Sequence, residues 1–114
     1  MTQHRKHRGY QSQRLVADYL RDNGWPYAES AGAGRSGSDV TGVPGLDIEV
    51  KARRHLDLMA TLRQQAERYD GMAFAVIRPD GYGPASIADW PAVLPLNRIV
   101  ELLREAGYGQ PMDG

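Results

Sequence analysis

Residues 46–51 read LDIEVK, in which apolar side chains alternate with charged ones. Side chains two residues apart in a β-strand lie on the same face. The pattern therefore predicts a strand with one apolar face that enters a core. Asp47, Glu49 and Lys51 lie on the opposite face. We expect Glu49 and Lys51 to point together toward whatever group lies across from this strand.

Asp39 stands ten residues before Glu49, in a segment rich in glycine and serine. The sequence predicts a hairpin in which a strand over 38–43 pairs with a strand over 46–52. Directly opposed residues in such a pair have Cβ atoms about 4.5–5.5 Å apart. Residues two apart on one strand are separated by about 6.8 Å. Asp39 is therefore a better partner for Glu49 than Asp47 is.

The register of this hairpin decides whether the two carboxylates meet. A three-residue loop over 43–45 places Asp39 opposite Glu49, with its glycine in the left-handed conformation. A two-residue turn at Pro44-Gly45 fits the type II rules better, but it places Asp39 opposite Val50, on the wrong face. We therefore expect a three-residue loop or a β-bulge.

Two converging carboxylates suit Mg²⁺, with Mn²⁺ as a substitute, because Mg²⁺ takes about six oxygen ligands and few of them from protein. The ion would lower the pKa of a water and polarise a phosphate. Lys51 could orient the water and offset charge in the transition state. This predicts a phosphodiesterase with Asp39, Glu49 and Lys51 as catalytic residues. The alternative to a catalytic site is that Asp39 is only a turn residue and that Glu49 and Lys51 lie on a solvent-exposed strand face.

The pattern Asp39 … Glu49-Val50-Lys51 resembles the signature of the PD-(D/E)XK nuclease superfamily, with Ser38 in place of the usual proline. The longer run from Gly9-Tyr10-Gln11-Ser12-Gln13 through Arg35-Ser36-Gly37-Ser38-Asp39 resembles Holliday-junction-resolvase-like members, over roughly residues 9–78. The resemblance implies an α/β, restriction-endonuclease-like α-β-β-β-α-β core with a mixed central sheet flanked by helices. It also implies the Val50 carbonyl as a further metal ligand.

The same resemblance implies a magnesium-dependent endodeoxyribonuclease, most like a Holliday-junction resolvase that acts in DNA recombination. One alternative is a nicking, flap or single-strand-specific nuclease, which would use the same residues. A second alternative is a catalytically weak DNA-binding module, because relatives carry a glutamate where this chain has Gln13. An amide at Gln13 can hold a metal-bound water but brings no charge.

Gln13 is joined by two further supporting residues, Gln65 and Tyr69, and the assignment of Asp47 is also open. Gln65 and Tyr69 match the Gln-x-x-x-Tyr motif of some exonuclease branches and share a helix face, so both could meet DNA or line the site. Otherwise Tyr69 is an aromatic residue at the edge of the core. Asp47 could bind a second metal, pair with Arg53 or be exposed, and we favour a structural role.

The net charge of zero hides an uneven distribution. Residues 1–63 carry ten Lys and Arg against seven Asp and Glu, and residues 64–114 carry four against seven. A basic half suits contact with phosphates and favours a nucleic-acid partner. The resemblance implies that this partner is DNA, in particular branched DNA. The candidate phosphate contacts are Arg5, Lys6, Arg8, Arg35, Arg53 and Arg54.

Symmetric cleavage of two strands needs two active sites, and a chain of 114 residues has room for one. This predicts a C2 homodimer. The apolar run 72–77 or the last helix would form its interface.

The chain is expected to form a single nuclease domain over 10–106, between a flexible basic arm (1–9) and a flexible tail (107–114). The predicted element order is α-β-β-β-α-β-β-α, with residues 72–77 as a central strand. Cysteine is absent and no apolar run has membrane length. Residues 1–9 do not have the pattern of a signal peptide, so we expect none. We therefore expect a cytoplasmic protein without membrane contact, in the host cytoplasm if it is phage-encoded.

Overall fold

The structure, a computed structural model, describes residues 2–32, 37–52 and 57–111, with side chains from Arg8 onward. The chain is a mixed α/β protein, and the predicted order of elements is confirmed. A 3-10 helix, Pro84–Asp89, precedes the last strand. The helices and strands are α1 (Thr2–Asp22), β1 (Glu29–Ser30), β2 (Val40–Thr41), β3 (Leu46–Lys51), α2 (Leu58–Arg68), β4 (Met72–Ile77), β5 (Ala92–Val93) and α3 (Leu96–Glu105).

A three-stranded mixed sheet has the order β3-β4-β5. β3 and β4 are parallel, with Glu49 opposite Ala75, and β5 is antiparallel to β4. Parallel neighbours need a crossover connection, and α2 supplies it. Asp57 caps α2, because its carboxylate accepts the Ala60 N–H at 3.0 Å. The central position predicted for Met72–Ile77 is also confirmed.

The two faces of β3 meet different helices. Ile48 is fully buried in a core that includes Val16 and Ala17 of α1. Asp47, on the other face, is buried against α2, where Gln65 donates to it at 3.3 Å. The charged face predicted from the alternation is therefore covered in part by protein, and α2 is the element that faces it.

The hairpin expected between 38–43 and 46–52 is different in the structure. β2 pairs with β1 in a separate two-stranded antiparallel sheet. The connection to β3 is a two-residue turn, in which the Leu46 N–H donates to the Val43 carbonyl at 3.1 Å. Gly45, with φ +79°, takes the left-handed position. The predicted three-residue loop is therefore wrong, because proline followed by glycine favours a two-residue type II turn. The alternative of a β-bulge is not found either, since β2 and β3 belong to different sheets in the described part of the chain.

Gly42 explains why β2 is short. Its φ is +75°, and a Cβ atom there would lie 1.9 Å from the Tyr27 carbonyl oxygen. Glycine alone allows this close approach of two backbone segments. The chain therefore bends at Gly42 and leaves β2 against β1 instead of extending a ladder along β3.

The first helix begins at Thr2, so residues 2–9 are helical where we expected a flexible arm. Arg8 connects this part of α1 to the sheet. Its guanidinium donates to the carbonyls of Ala52 at 3.3 Å and Pro79 at 3.2 Å, just beyond β3 and β4. These contacts anchor the start of the helix. In the predicted tail, residues 112–114 lie outside the described part of the chain.

Over the described residues, none of the helices combines the length and the apolar character needed to span a membrane.

Candidate metal and catalytic site

Asp39 is held by three hydrogen bonds, two of them to β3. Its backbone N–H donates to the Ile48 carbonyl at 2.8 Å, and its own carbonyl accepts the Ala31 N–H at 2.9 Å. Its side-chain Oδ2 accepts the Val50 N–H at 2.8 Å. The carboxylate therefore sits next to the backbone of β3, one residue beyond Glu49.

Asp39 and Glu49 come together although the predicted loop is wrong. Burial is the largest cause that raises the pKa of Asp39, followed by a side-chain hydrogen bond with Glu49 and the charge of Glu49. The Val50 N–H and the Lys51 charge act in the opposite direction, and the resulting pKa is about 7. Two carboxyl groups this close resist double ionisation unless a proton or a cation lies between them.

Lys51 lies at the same end of β3. Its Nζ is 3.9 Å from Glu49 Oε2, too far for a hydrogen bond, and its side chain is 23% exposed. The amine is therefore available to a further acceptor. Val50, whose carbonyl was a candidate ligand, contributes its N–H to Asp39. The structure thus brings together the predicted catalytic residues Asp39, Glu49 and Lys51.

Asp47 has a structural partner that the sequence reasoning missed. Arg68 Nε and Nη2 donate to its two carboxylate oxygens at 2.9 and 2.6 Å. The same Nη2 is 2.8 Å from Glu49 Oε1. The hydrogen bonds to Asp47 are the largest cause that raises the pKa of Arg68. The favoured structural role of Asp47 agrees with this geometry, but the partner is Arg68. The other candidate, Arg53, lies outside the described residues.

Gln65 and Tyr69 do not act as a pair at this site. Gln65 is fully buried, and its amide donates to the carbonyls of Asp47 at 3.3 Å and Phe74 at 2.9 Å. It therefore joins β3 to β4 and is not exposed to DNA. The Tyr69 ring packs over Gly71, where a Cβ atom would approach it to 2.6 Å. This contact is at the start of β4, which agrees with a core-edge aromatic.

Gln13 lies beside the segment that carries Asp39. Its Oε1 accepts the Ser30 hydroxyl at 3.2 Å, and Ser30 is paired with Val40 across β1 and β2. The amide is thus occupied by a protein donor.

Of the basic residues predicted to contact phosphates, Arg8 alone has a side chain in the described part of the structure. Arg8 is anchored to backbone carbonyls and lies 4.0 Å from Asp80. The side chains of Arg5 and Lys6 lie outside the described part of the structure, as do residues Arg35, Arg53 and Arg54.

A further arginine, Arg78, was not predicted from the sequence. It is buried after β4, donates to Gln11 Oε1 at 2.9 Å and to Ser12 Oγ at 3.1 Å, and lies 5.3 Å from the centre of the Trp90 ring. Burial lowers the pKa of Arg78, and the nearby charge of Arg8 adds to this shift. Its contacts tie α1 to the end of the sheet.

Across the described residues, no group of three or more His, Cys, Asp or Glu side chains is arranged to hold a metal ion. A pair of carboxylates still fits Mg²⁺, which keeps several water ligands and needs one or two from carboxylates. Comparison of the chain with protein-family models, curated proteins and solved structures finds no match. The functional proposal therefore rests on the residues of this chain.

The raised pKa of Asp39 predicts a pH dependence of stability in metal-free protein. The carboxyl binds its proton more tightly in the folded state (pKa about 7) than in the unfolded state (3.8). Stability therefore falls as pH rises from about 4 to 7 and levels off above that. Because Asp39 is only partly buried, we expect a loss of about 1–2 kcal/mol.

This loss can be measured as the free energy of unfolding from pH 4 to 8 in EDTA, with Asp39→Asn as the matched variant. The asparagine cannot titrate, so the difference between the two proteins isolates the carboxyl group. Parallel pH profiles for wild type and variant would contradict the assignment.

Proposed function

We propose that this chain is a metal-dependent endodeoxyribonuclease of the PD-(D/E)XK superfamily, most similar to Holliday-junction resolvases. The observation that carries the proposal is the Asp39 carboxylate, which accepts the Val50 N–H directly beside Glu49, with Lys51 at the same end of β3. Burial and the neighbouring Glu49 carboxyl raise the pKa of Asp39. Two neighbouring, partly buried carboxylates favour the binding of a divalent cation, because the cation reduces the repulsion between their negative charges. The amine of Lys51 adds a donor for a phosphate oxygen.

The architecture supports the same proposal. The elements from α1 to β4 follow the order α-β-β-β-α-β, and the parallel pair β3 and β4 is connected through α2. This is the order that we expect of a restriction-endonuclease-like core with a mixed central sheet. The acidic pair lies near the C-terminal end of β3, away from the turn that connects β2 to β3.

Asp39 and Glu49 would hold Mg²⁺, or Mn²⁺ in its place, with the Val50 carbonyl as a third candidate ligand. When bound, the ion supplies a water of lowered pKa and polarises the scissile phosphate. Lys51 would orient the attacking water and donate to a phosphate oxygen, which stabilises negative charge that develops during the reaction. The Val50 N–H would hold the Asp39 carboxylate in place while the metal is bound, since it donates to Oδ2.

Labelled four-way junction, flap, duplex and single-stranded DNA, each with Mg²⁺ or EDTA, test the proposal. We expect paired, symmetric cuts in the junction that require the metal. Cleavage confined to flaps, nicks or single strands would favour the alternative nuclease. Metal-independent binding without cleavage in Mg²⁺ or Mn²⁺ would favour the DNA-binding module, for which the uncharged Gln13 is the specific observation. Neither binding nor cleavage would overturn the proposal.

We also propose that the enzyme is a C2 homodimer, because paired cuts need two sites. α3 is the candidate interface, since none of its residues is buried. Leu96, Val100 and Leu103 are 74%, 47% and 44% exposed. We expect light scattering at micromolar concentration to give twice the chain mass of 12.6 kDa. Leu103→Glu should produce monomers, because it places a charge in the apolar interface.

Glu101→Gln is the matched control for this prediction. Glu101 is exposed on α3 and pairs only with its neighbour Arg98 among the described contacts, so the variant should remain dimeric. A wild-type monomer, both free and with junction DNA, would favour a nicking or flap enzyme.

A further inference from the structure

We propose that Arg68 is a positioning residue that fixes the Glu49 carboxylate for the metal ion, and that buried Asp47 is its anchor. This inference rests on the proposed function, because it concerns the same pair of carboxylates. It assigns Arg68 and Asp47 to the site although neither would touch the metal or the DNA.

Asp47 on β3 fixes the orientation of the Arg68 guanidinium, which extends to it from α2. Its side chain is 6% exposed and receives both Nε and Nη2 of Arg68, at 2.9 and 2.6 Å. A planar guanidinium held by two parallel hydrogen bonds has a defined orientation. Gln65 Nε2 donates to the same carboxylate at 3.3 Å. Asp47 is therefore itself restrained by a second donor, and Arg68 is held by a rigid support.

Arg68 then holds one oxygen of Glu49. Its Nη2 is 2.8 Å from Oε1, and the Glu49 side chain is 13% exposed. The other oxygen, Oε2, is 3.9 Å from Lys51 Nζ, beyond hydrogen-bond distance. Asp39 is held in a comparable way, because its Oδ2 accepts the Val50 N–H at 2.8 Å. Each carboxylate thus has one oxygen held, by the Val50 N–H in Asp39 and by the Arg68 guanidinium in Glu49. Within the described part of the chain, the contacts give its second oxygen no backbone or arginine donor.

This arrangement has a consequence for metal affinity. Donors that orient a ligating carboxylate raise affinity, and their loss typically weakens metal binding about 10–100-fold. A positive charge that does no more than sit near the metal has the opposite effect, because it repels the cation. The direction of change on removal of Arg68 therefore separates a positioning role from a purely electrostatic one.

The test is Mn²⁺ binding, followed by the electron paramagnetic resonance signal of free Mn²⁺. The variants are Arg68→Gln and Arg68→Lys, with Arg63→Gln as the control on an exposed position of the same helix. We expect Arg68→Gln to weaken binding about 10–100-fold. Arg68→Lys should weaken Mn²⁺ binding by an intermediate amount, since lysine keeps the positive charge but cannot make the paired hydrogen bonds of a guanidinium. Arg63→Gln should bind Mn²⁺ as wild type does. Unchanged or tighter binding in Arg68→Gln would overturn the inference.

Arg68→Gln leaves Asp47 buried without its cation and could fail to fold, so the series includes Asp47→Asn and the double variant. Circular dichroism at the assay temperature checks that each protein is folded. Because Asp47 acts through Arg68, the double variant should bind Mn²⁺ as weakly as the weaker single variant, with no additive loss. Additive losses would show that Asp47 is not the anchor and would overturn that part of the inference.

Mn²⁺ binding distinguishes a failure of the metal site at Asp39 and Glu49 from a failure of the positioning role of Arg68. If wild type and Asp39→Asn are alike in not binding Mn²⁺, the metal site falls and the positioning role falls with it. The metal site is supported if wild type binds Mn²⁺ and Asp39→Asn does not. If Arg68→Gln and the double variant then bind Mn²⁺ as wild type does, only the positioning role of Arg68 is overturned.

Discussion

Asp39→Asn and Glu49→Gln are each expected to reduce Mg²⁺-dependent DNA cleavage by at least about 10³-fold, which corresponds to about 4 kcal/mol of transition-state stabilisation. Each change replaces a negatively charged metal ligand with a neutral amide of nearly the same shape, which is a much weaker ligand for Mg²⁺. Asparagine can still accept the Val50 N–H that fixes Asp39, so the fold is expected to survive. Initial rates on labelled junction DNA at saturating Mg²⁺ give the measurement.

Glu67→Gln is the matched control, because Glu67 is exposed on α2 and has no assigned role. It should cleave at the wild-type rate. DNA binding measured in EDTA should be nearly the same in all three variants. Cleavage close to the wild-type rate in Asp39→Asn or in Glu49→Gln would show that the two carboxylates do not form the metal site.

Local rules predicted much of the fold. The alternation of LDIEVK gives β3 at Leu46–Lys51, and the continuous apolar run gives β4 at Met72–Ile77. Asp57 caps α2 because a short acidic side chain can bond the free N–H groups of the first turn. Each of these features depends on neighbours in sequence, so the sequence contains enough information to predict it.

The hairpin register depended on a contact that no local rule describes. Pro44-Gly45 favoured the two-residue turn, which we set aside because a regular ladder would then place Asp39 on the wrong face. In the structure Asp39 reaches the site through its side chain, by accepting the Val50 N–H. The bend at Gly42 against the Tyr27 carbonyl ends β2 early. Both features require the three-dimensional neighbours of the turn.

Arg68 could have been found in part. It follows Gln65 by three residues, so the two share a face of α2, and a crossover helix must pack on one face of the parallel pair that it connects. That reasoning places Arg68 near the charged face of β3. The choice of Asp47 as its main partner depends on how α2 is positioned over the sheet, which the sequence alone does not determine.

Arg68→Gln is expected to lower the free energy of unfolding by about 3–5 kcal/mol at pH 7, because it leaves the buried Asp47 carboxylate without its cation. Asp47→Asn in the same chain should restore much of this loss, since two neutral amides carry no unpaired charge. Asp47→Asn alone should cost less than Arg68→Gln, because the Arg68 side chain is 29% exposed and can be hydrated. The measurement is urea unfolding followed by tryptophan fluorescence, with Arg63→Gln as the control. Additive losses in the double variant would contradict the pairing, because two residues that stabilise the fold through one shared interaction cannot each lose it independently.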